Sequence, residues 1–420
     1  MSLRIGIIGS GTMSKALYVH HGDAIGKIYT DSDIKLRTDH PGQSKMTNDF
    51  DVFLKNCDVV FECSGKTFRT FQLFEVIGKN KPIITLNVEF QSTFGHYFAK
   101  KGYLFSECEG DQPGLLVNLH RMAVDRGFSP VVYGIYKKFL DENAIISEKS
   151  QRLWRNPLWN MGIKFKNPLN LKKRENLKEY ALKYGLSEEM CLSFTNGNKI
   201  TLELIATSLF LDKTPQIELW DVNGMNRHTS YESAATSALL EIGVSGAPTA
   251  TFVLDPKSPR GVFIGATHKD IDTLDYLGIY DKNLNLCKLE IPQHLCHLEM
   301  YPMLEKLENS PIVPQSQNYI PGAKVSEHFS ANSQEDVNIQ EDFKVFPVKN
   351  TSEANEYVPF TFLEKAKFRP LINLRKKEGH LDGKPITWKD VEFSKEEKRI
   401  VNEWKSFTQN PSVRGLLLGK

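Results

Sequence analysis

An α/β fold, led by a doubly wound parallel sheet, is predicted from three features of the chain's first third. Short, uniformly apolar runs recur there, each is followed by a helix-period segment, and a glycine-rich turn joins the first strand to the first helix. Strands covered by crossover helices on both faces read as continuous apolar runs, whereas strands with one wet face alternate.

"LRIGIIGSGTMSKALYVH" supplies the first strand, the turn and a helix with Met13 and Leu17 on one side. "AIGKIYTDSD" is a second strand ending in acidic residues. After a loop at His40-Pro41-Gly42, "FDVFLKNCDVVFECSGK" gives a short helix and a strand from Val59 to Cys63. "TFQLFEVIGKNKPIITLNVEF" repeats the unit, its helix closing near Gly78 and its strand running from Ile83 to Leu86. "FAKKGYLFSECEGDQPG" adds a strand from Tyr103 to Ser106. Past Arg126 the pattern changes. "PVVYGIYKKFL", "GVFIGAT" and "KLEIPQHLCHLEM" read as strands and Thr201 to Phe210 as a helix, which together predict a central α+β domain. "NPLNLKKRENLKEYALKYG" reads as a basic amphipathic helix with a solvated charged face. From "NSPIVPQSQNYIPG" onward the chain is loop-rich and mostly β. The capping box of Ser394 with Glu397, ahead of a seam of Ile400, Val401, Trp404 and Phe407, predicts a last helix. The expected division is 1–125, dinucleotide-binding; 126–310, α+β; 311–394, small and mostly β; and 395–420, helix and tail.

The chain has 420 residues with 40% hydrophobic and 25% charged, and a formal charge of only +2. Bulk charge so near neutrality favours neither nucleic acid nor membrane as the main partner, and leaves a small-molecule substrate. The six cysteines form no paired framework and are read as reduced. "MSLRIGIIGSG" enters a strand at once, without the layout of a signal peptide, and no apolar stretch approaches the roughly 20 residues of a spanning helix. A cytoplasmic protein is expected.

"GSGTMS" is a G-x-G-x-x-small turn. Gly9 permits the tight bend, Gly11 lets the backbone approach a pyrophosphate, Thr12 and Met13 open the helix towards it, and Ser14 allows close packing. Asp31, about 20 residues on at the end of strand two, can accept hydrogen bonds from the adenosine ribose and repel a 2′-phosphate, so NAD is expected over NADP. Asp33 is a neighbouring candidate, and a solvated turn is the alternative. Cys63, Ser64 and Gly65 can line the nicotinamide side, and Asn87 and Glu89 can contact nicotinamide or substrate.

"SECEGDQPGLL" follows a strand at the carboxyl edge where such sheets bind ligands. Pro113-Gly114 reads as a turn, Glu107 as structural, Glu109 as substrate-binding, and Asp111 as the acid of first interest. Lys137, one of two adjacent lysines, follows a β run and can stabilise or protonate an alkoxide. Lys199 follows a glycine turn just before a helix; it is a catalytic candidate, or else simply pairs with Glu203 four residues on. "PQHLCHLE" carries His294, Cys296, His297 and Glu299 at a spacing that fits no standard zinc pattern. Core or substrate-binding histidines are expected there, and any metal ligand set is left unassigned.

Taken together, "RIGIIGSGTMS", "VVFECSGK", "ECEGDQPGLLVNLHR", "GFSPVVYGIYKKFLD", "SFTNGNKITLE", "GVFIGA" and "PQHLCHLE" resemble homoserine dehydrogenase-like oxidoreductases with a C-terminal SAF-type domain. That group includes deoxyxylulose-phosphate reductoisomerase-like and sugar-acid oxidoisomerase enzymes. "PGAKVSEHFSANSQEDVNIQEDF" and "KFRPLINLRKKEGHLDGKPITWKDVEF" resemble the two halves of the SAF module. The resemblance implies a Rossmann domain, a central domain for substrate and subunit contacts, a homodimer or homotetramer, and a nicotinamide cofactor. It places functional weight on Asp111, Gln112, Lys137, Lys199, and His294 with Glu299. Asp31 departs from the basic residue often found in relatives, and Lys138-Phe139 replaces an expected glycine, so the relatives' substrates do not transfer.

The activity expected is NAD(P)-dependent hydride transfer to or from a small polyhydroxylated acid or sugar phosphate. Lys137, Asp111 and Lys199 would be catalytic, and Glu109, Gln112, Glu203, His294, His297 and Glu299 would bind substrate. One alternative couples hydride transfer to a skeletal rearrangement, aided by a divalent metal near Glu109 and Asp111. Another is a non-catalytic NAD sensor.

Overall fold

The computed structural model describes residues 3–137, 197–211, 215–217, 228, 230–254, 261–292, 299–300, 302–327, 329–351 and 353–408. Six parallel strands make the first sheet: β1 (Ile5–Ile8), β2 (Ile25–Tyr29), β3 (Met46–Thr47), β4 (Val59–Glu62), β5 (Ile83–Thr85) and β6 (Phe105–Glu107). Their order is β3-β2-β1-β4-β5-β6. The chain winds outward from β1 one way and from β4 the other, so a crevice opens past the carboxyl ends of these two strands, as in dinucleotide-binding folds. β3 was not anticipated, because two residues at a sheet edge leave no periodic signal. β6 starts two residues and ends one residue further on than expected, which makes Glu107 its last residue.

The helices between are α1 (Thr12–His21), α2 (Phe50–Lys55), α3 (Thr67–Ile77), α4 (Val88–Phe90), α5 (His96–Lys100) and α6 (Gln112–Asp125), with a π-helical turn, Gln91–Gly95, joining α4 to α5. Gly78 caps α3 at φ 67, as its position suggested. The Pro113-Gly114 turn is corrected: both residues lie in the first turn of α6, capped by Asp111. Proline is tolerated there because the first helical N–H groups have no intrahelical acceptor. Gly114 serves close approach, since a Cβ on it would sit 2.2 Å from the Cys108 carbonyl oxygen.

The second sheet runs β11-β12-β10-β7-β9-β8, with β7 (Ser129–Lys137), β8 (Gln216–Ile217), β9 (Thr249–Leu254), β10 (Gly261–Thr267), β11 (Tyr280–Asp281) and β12 (Leu286–Pro292). β7, β9 and β8 are mutually parallel and the other pairings antiparallel. Alternation along β7 splits its neighbours. Val132 and Tyr136 pack on Ala234, Ala235 and Ala238 of α8 (Tyr231–Ser245), while Tyr133 and Ile135 join the core shared with Leu116 of α6 and Ile205 of α7 (Gly197–Phe210). α7 begins at Gly197, not Thr201, so Lys199 stands in its first turn. α9 (Ile271–Tyr276) follows β10. The basic amphipathic segment before α7 lies outside the described residues.

After α10 (Met303–Lys306), β13 (Tyr319–Val325) pairs antiparallel with β14 (Phe343–Lys349), entered from α11 (Ile339–Asp342). Single bridges extend the pair, such as Lys324 with Pro385, and α12 (Arg369–Glu378) follows in the chain. In α13 (Lys395–Thr408) the capping box forms as expected: Glu397 N–H donates to the Ser394 hydroxyl (3.3 Å) and Ser394 N–H to the Glu397 carboxylate (3.1 Å). Its seam lies on α3 and the π-turn, where buried Trp404 donates its indole N–H to the Thr93 carbonyl (3.0 Å) and Arg399 pairs with Glu75 (2.8 Å). Cys57, Cys63, Cys108 and Cys287 are free thiols. No helix among the described residues is long and apolar enough to cross a membrane.

Candidate active site

Gly9 has φ +106, and a Cβ on it would lie 3.1 Å from the Cys63 carbonyl oxygen, so both its backbone and its neighbour require glycine. Gly11 caps α1, and a Cβ there would meet no atom within 4 Å. Open space in front of a helix N-terminus fits a dinucleotide pyrophosphate, with Thr12 and Met13 at its edge. Ser14 does more than pack closely: its hydroxyl lies 3.1 Å from His40 Nε2, while Gly42 N–H donates to His40 Nδ1 (2.9 Å). That arrangement places the imidazole proton on Nε2, and burial lowers the His40 pKa.

At the end of β2, Asp31 is held by a fork from α3: Arg69 donates through Nε (3.0 Å) and Nη2 (2.8 Å), and the Tyr29 hydroxyl adds a third hydrogen bond (2.7 Å). Burial works against the Asp31 carboxylate, but Arg69 and Tyr29 outweigh it and hold its pKa below the usual value. Asp33 serves as a turn cap, accepting from Lys35 N–H (3.0 Å). At the end of β4, Cys63 is half-buried, Gly65 has φ +64, and Ser64 turns inward, its N–H donating to Glu62 (2.8 Å). Asn87 is occupied at both ends of its amide: it accepts from Phe90 N–H (3.0 Å) and donates to the Thr70 hydroxyl (3.1 Å). It therefore positions α4.

Glu62, Thr85 and Glu107 stand in one register across β4, β5 and β6, on one face of the sheet. Both acids are fully buried. Glu62 is well satisfied, accepting from Ser64 and from the Thr85 hydroxyl (2.8 Å). For Glu107, neither carboxyl oxygen has a close hydrogen-bond partner among the described residues. Burial, with the Asp111 charge, pushes its pKa well above the ordinary carboxyl value; Lys199 and the Gln91 amide pull the other way without prevailing.

Lys199 reaches Glu89, not its helix neighbour: Nζ lies 3.0 and 3.1 Å from the two carboxylate oxygens. Burial opposes the ammonium, but Glu89, Glu203 and Asp111 outweigh it and hold its pKa above the ordinary lysine value. Four carboxyl groups, Glu89, Glu107, Asp111 and Glu203, thus act on the one Lys199 cation. Asp111 also caps α6 (2.8 Å from Leu115 N–H to its carbonyl), and Gln112 is buried beside it. Glu109 is drawn off to Lys306 (2.7 Å). No three His, Cys, Asp or Glu side chains converge to hold a metal among the described residues.

Lys137 ends β7 opposite Leu254, and its side chain lies outside the described residues, as do His294, Cys296 and His297. Glu299 is half-buried just ahead of α10. Sequence reading missed Gln91, Arg69 and Lys306, and took Glu107 as merely structural. For Glu107 a signal existed, an acid at the close of an apolar strand. Arg69 and Lys306 are ordinary helix residues whose partners, Asp31 and Glu109, are distant in the chain, and Gln91 lies in a π-turn that spacing does not reveal.

No curated protein matches the chain by sequence. Among solved structures it is similar to aspartate dehydrogenase from Thermotoga maritima, at 15% identity, covering 74% of this chain and 97% of that one with a TM-score of 0.33. It is also similar to the WlbA dehydrogenase from Bordetella pertussis, solved in complex with NADH and UDP-GlcNAcA (13% identity, 33% of this chain, 48% of that one, TM-score 0.26). A third is scyllo-inositol dehydrogenase from Lactobacillus casei (15% identity, 33% and 46%, TM-score 0.26). Residues 110–300, which carry Asp111, Lys137, Lys199, Glu203 and the histidine pair, match the family described as "Oxidoreductase DRL, catalytic domain".

Proposed function

We propose that the chain is an NAD(P)-dependent oxidoreductase acting on a carbonyl or secondary alcohol of a small polyhydroxylated acid or sugar phosphate. The observation that carries this reading is the Lys199 ammonium, paired with Glu89 and held charged by the fields of Glu89, Glu203 and Asp111, within the stretch similar to an oxidoreductase catalytic domain. A bound nicotinamide supplies the hydride. Lys199, kept charged by Glu89, donates a hydrogen bond or its proton to the substrate oxygen as alkoxide charge develops. Lys137, the last residue of β7, is the second cation in this reading. Asp111 orients the substrate from the N-terminus of α6, and Gln112, His294, His297 and Glu299 complete its binding. Asp31 favours NAD.

The working protein is read as a homodimer or homotetramer in the cytoplasm. Leu240 and Val244, 70% and 87% exposed on α8, are apolar surface that a second copy can cover. Sedimentation of the purified chain as a monomer at micromolar concentration would reject that assembly. The activity is tested by a screen of sugar phosphates and sugar acids that follows nicotinamide absorbance and product mass together. Turnover with unchanged carbon connectivity is expected. A rearranged product would establish the reductoisomerase alternative, and cofactor binding without turnover on any substrate would establish a sensor.

A further inference from the structure

We infer that the end of β2 is a switchable adenosine 2′ site, in which Arg69 leaves Asp31 to take the 2′-phosphate of NADP. The chain then accepts both dinucleotides, and Arg69 sets their ratio. This rests on the nicotinamide reading above.

Asp31 alone would argue for NAD, because an unpaired carboxylate accepts the ribose hydroxyls and repels a phosphate. It is not alone. Arg69 occupies both its oxygens at 2.8 and 3.0 Å, and the Tyr29 hydroxyl takes a further position at 2.7 Å, which is three of the roughly four acceptor sites a carboxylate has. Its charge is therefore largely countered where a ligand would meet it. The surroundings add cations. Arg37 Nη2 donates to the Ser32 hydroxyl (2.8 Å) beside Asp31, and Lys365 exerts a favourable field on Asp31 from the C-terminal segment. The other nearby acid, Asp33, is engaged as a turn cap on Lys35 N–H.

The clamp is also reachable. The Asp31 and Arg69 side chains are 57% and 35% exposed, so the pair can part at low cost. A guanidinium fork fits a phosphate as well as it fits a carboxylate. With NAD, Arg69 stays on Asp31 and the remaining carboxylate position faces the ribose. With NADP, the fork moves to the phosphate while Arg37 and Lys365 add to the positive field.

Binding of NADH and NADPH to the full chain, followed by nucleotide fluorescence without substrate, tests this independently of turnover. The parent is expected to bind the two within about tenfold of each other. Arg69→Ala should weaken NADPH at least tenfold more than NADH, and Asp31→Asn should shift the ratio towards NADPH by a similar factor. If Arg69→Ala weakens both equally, or neither, the inference fails while the cofactor reading stands. Binding of neither nucleotide to the parent would overturn both.

Discussion

The ends of β2 and β6 lie on the same edge of one sheet, yet their carboxylates live under opposite conditions. Asp31 is half-exposed, bidentately paired and low in pKa. Glu107 is fully buried, lacks a close hydrogen-bond partner among the described residues and is high in pKa. At the rim, water substitutes for a lost partner, so charges can be rearranged for ligand choice. In the interior no such substitute exists, and each charge is set by a few neighbours. The first setting suits an ion pair that can exchange partners, the second a carboxyl whose proton is held by its surroundings.

The largest expected effect tests whether the β6 side owes its character to rigid burial. Trp404→Ala removes a 1% exposed indole and its bond to the π-turn that carries Gln91. A loss of about 3–5 kcal/mol in denaturant unfolding is expected. A loss no greater than that of a surface substitution would mean the turn stands without it. Lys199→Met is next. It should lower kcat about 10²-fold or more, near 2.7 kcal/mol, while NADH titration stays unchanged. Retained turnover would remove Lys199 from the chemistry and leave it as interior glue.

Glu107→Gln sharpens the contrast through pH. Because burial raises the folded pKa of Glu107 above its unfolded value near 4.3, the folded protein keeps the proton that the unfolded chain releases. That contribution is fully present below the unfolded pKa and is lost as pH rises through the folded one. The variant should therefore be the more stable form at the alkaline end, on the order of 1 kcal/mol or more, with the gap closing towards pH 4. Melting curves showing a gap independent of pH would refute the protonated state. Smallest of all should be the stability cost of Arg69→Ala, at most about 1 kcal/mol and less in high salt. Equal costs at the two ends would erase the distinction between them.

Much of the first sheet was legible because its signals are local. The apolar runs at Ile5, Val59 and Ile83, the glycines of the first turn and the Ser394 capping box each declare themselves within a few residues. For the candidate residues, spacing gave names but not partners. Asp111, Lys199 and Glu203 were named and do come together, yet the partner of Lys199 is Glu89, 110 positions away, and that of Glu109 is Lys306, 197 away. Helical spacing pointed to Glu203 because only neighbours can be read from spacing. The π-turn was hidden for the same reason, since a one-residue insertion in a helix leaves no compositional mark.

α13 has a temporal meaning as well. Its anchors reach Thr93 and Glu75, 311 and 324 positions back along the chain. During synthesis the helices of the first sheet emerge early, with Phe71, Phe94 and Phe98 assembled but their outer cover still untranslated. The helices around Thr93 thus wait for a residue 311 positions further along the chain, and a nascent chain halted before Trp404 leaves part of their aromatic surface open to the chaperones and proteases that survey unfinished proteins.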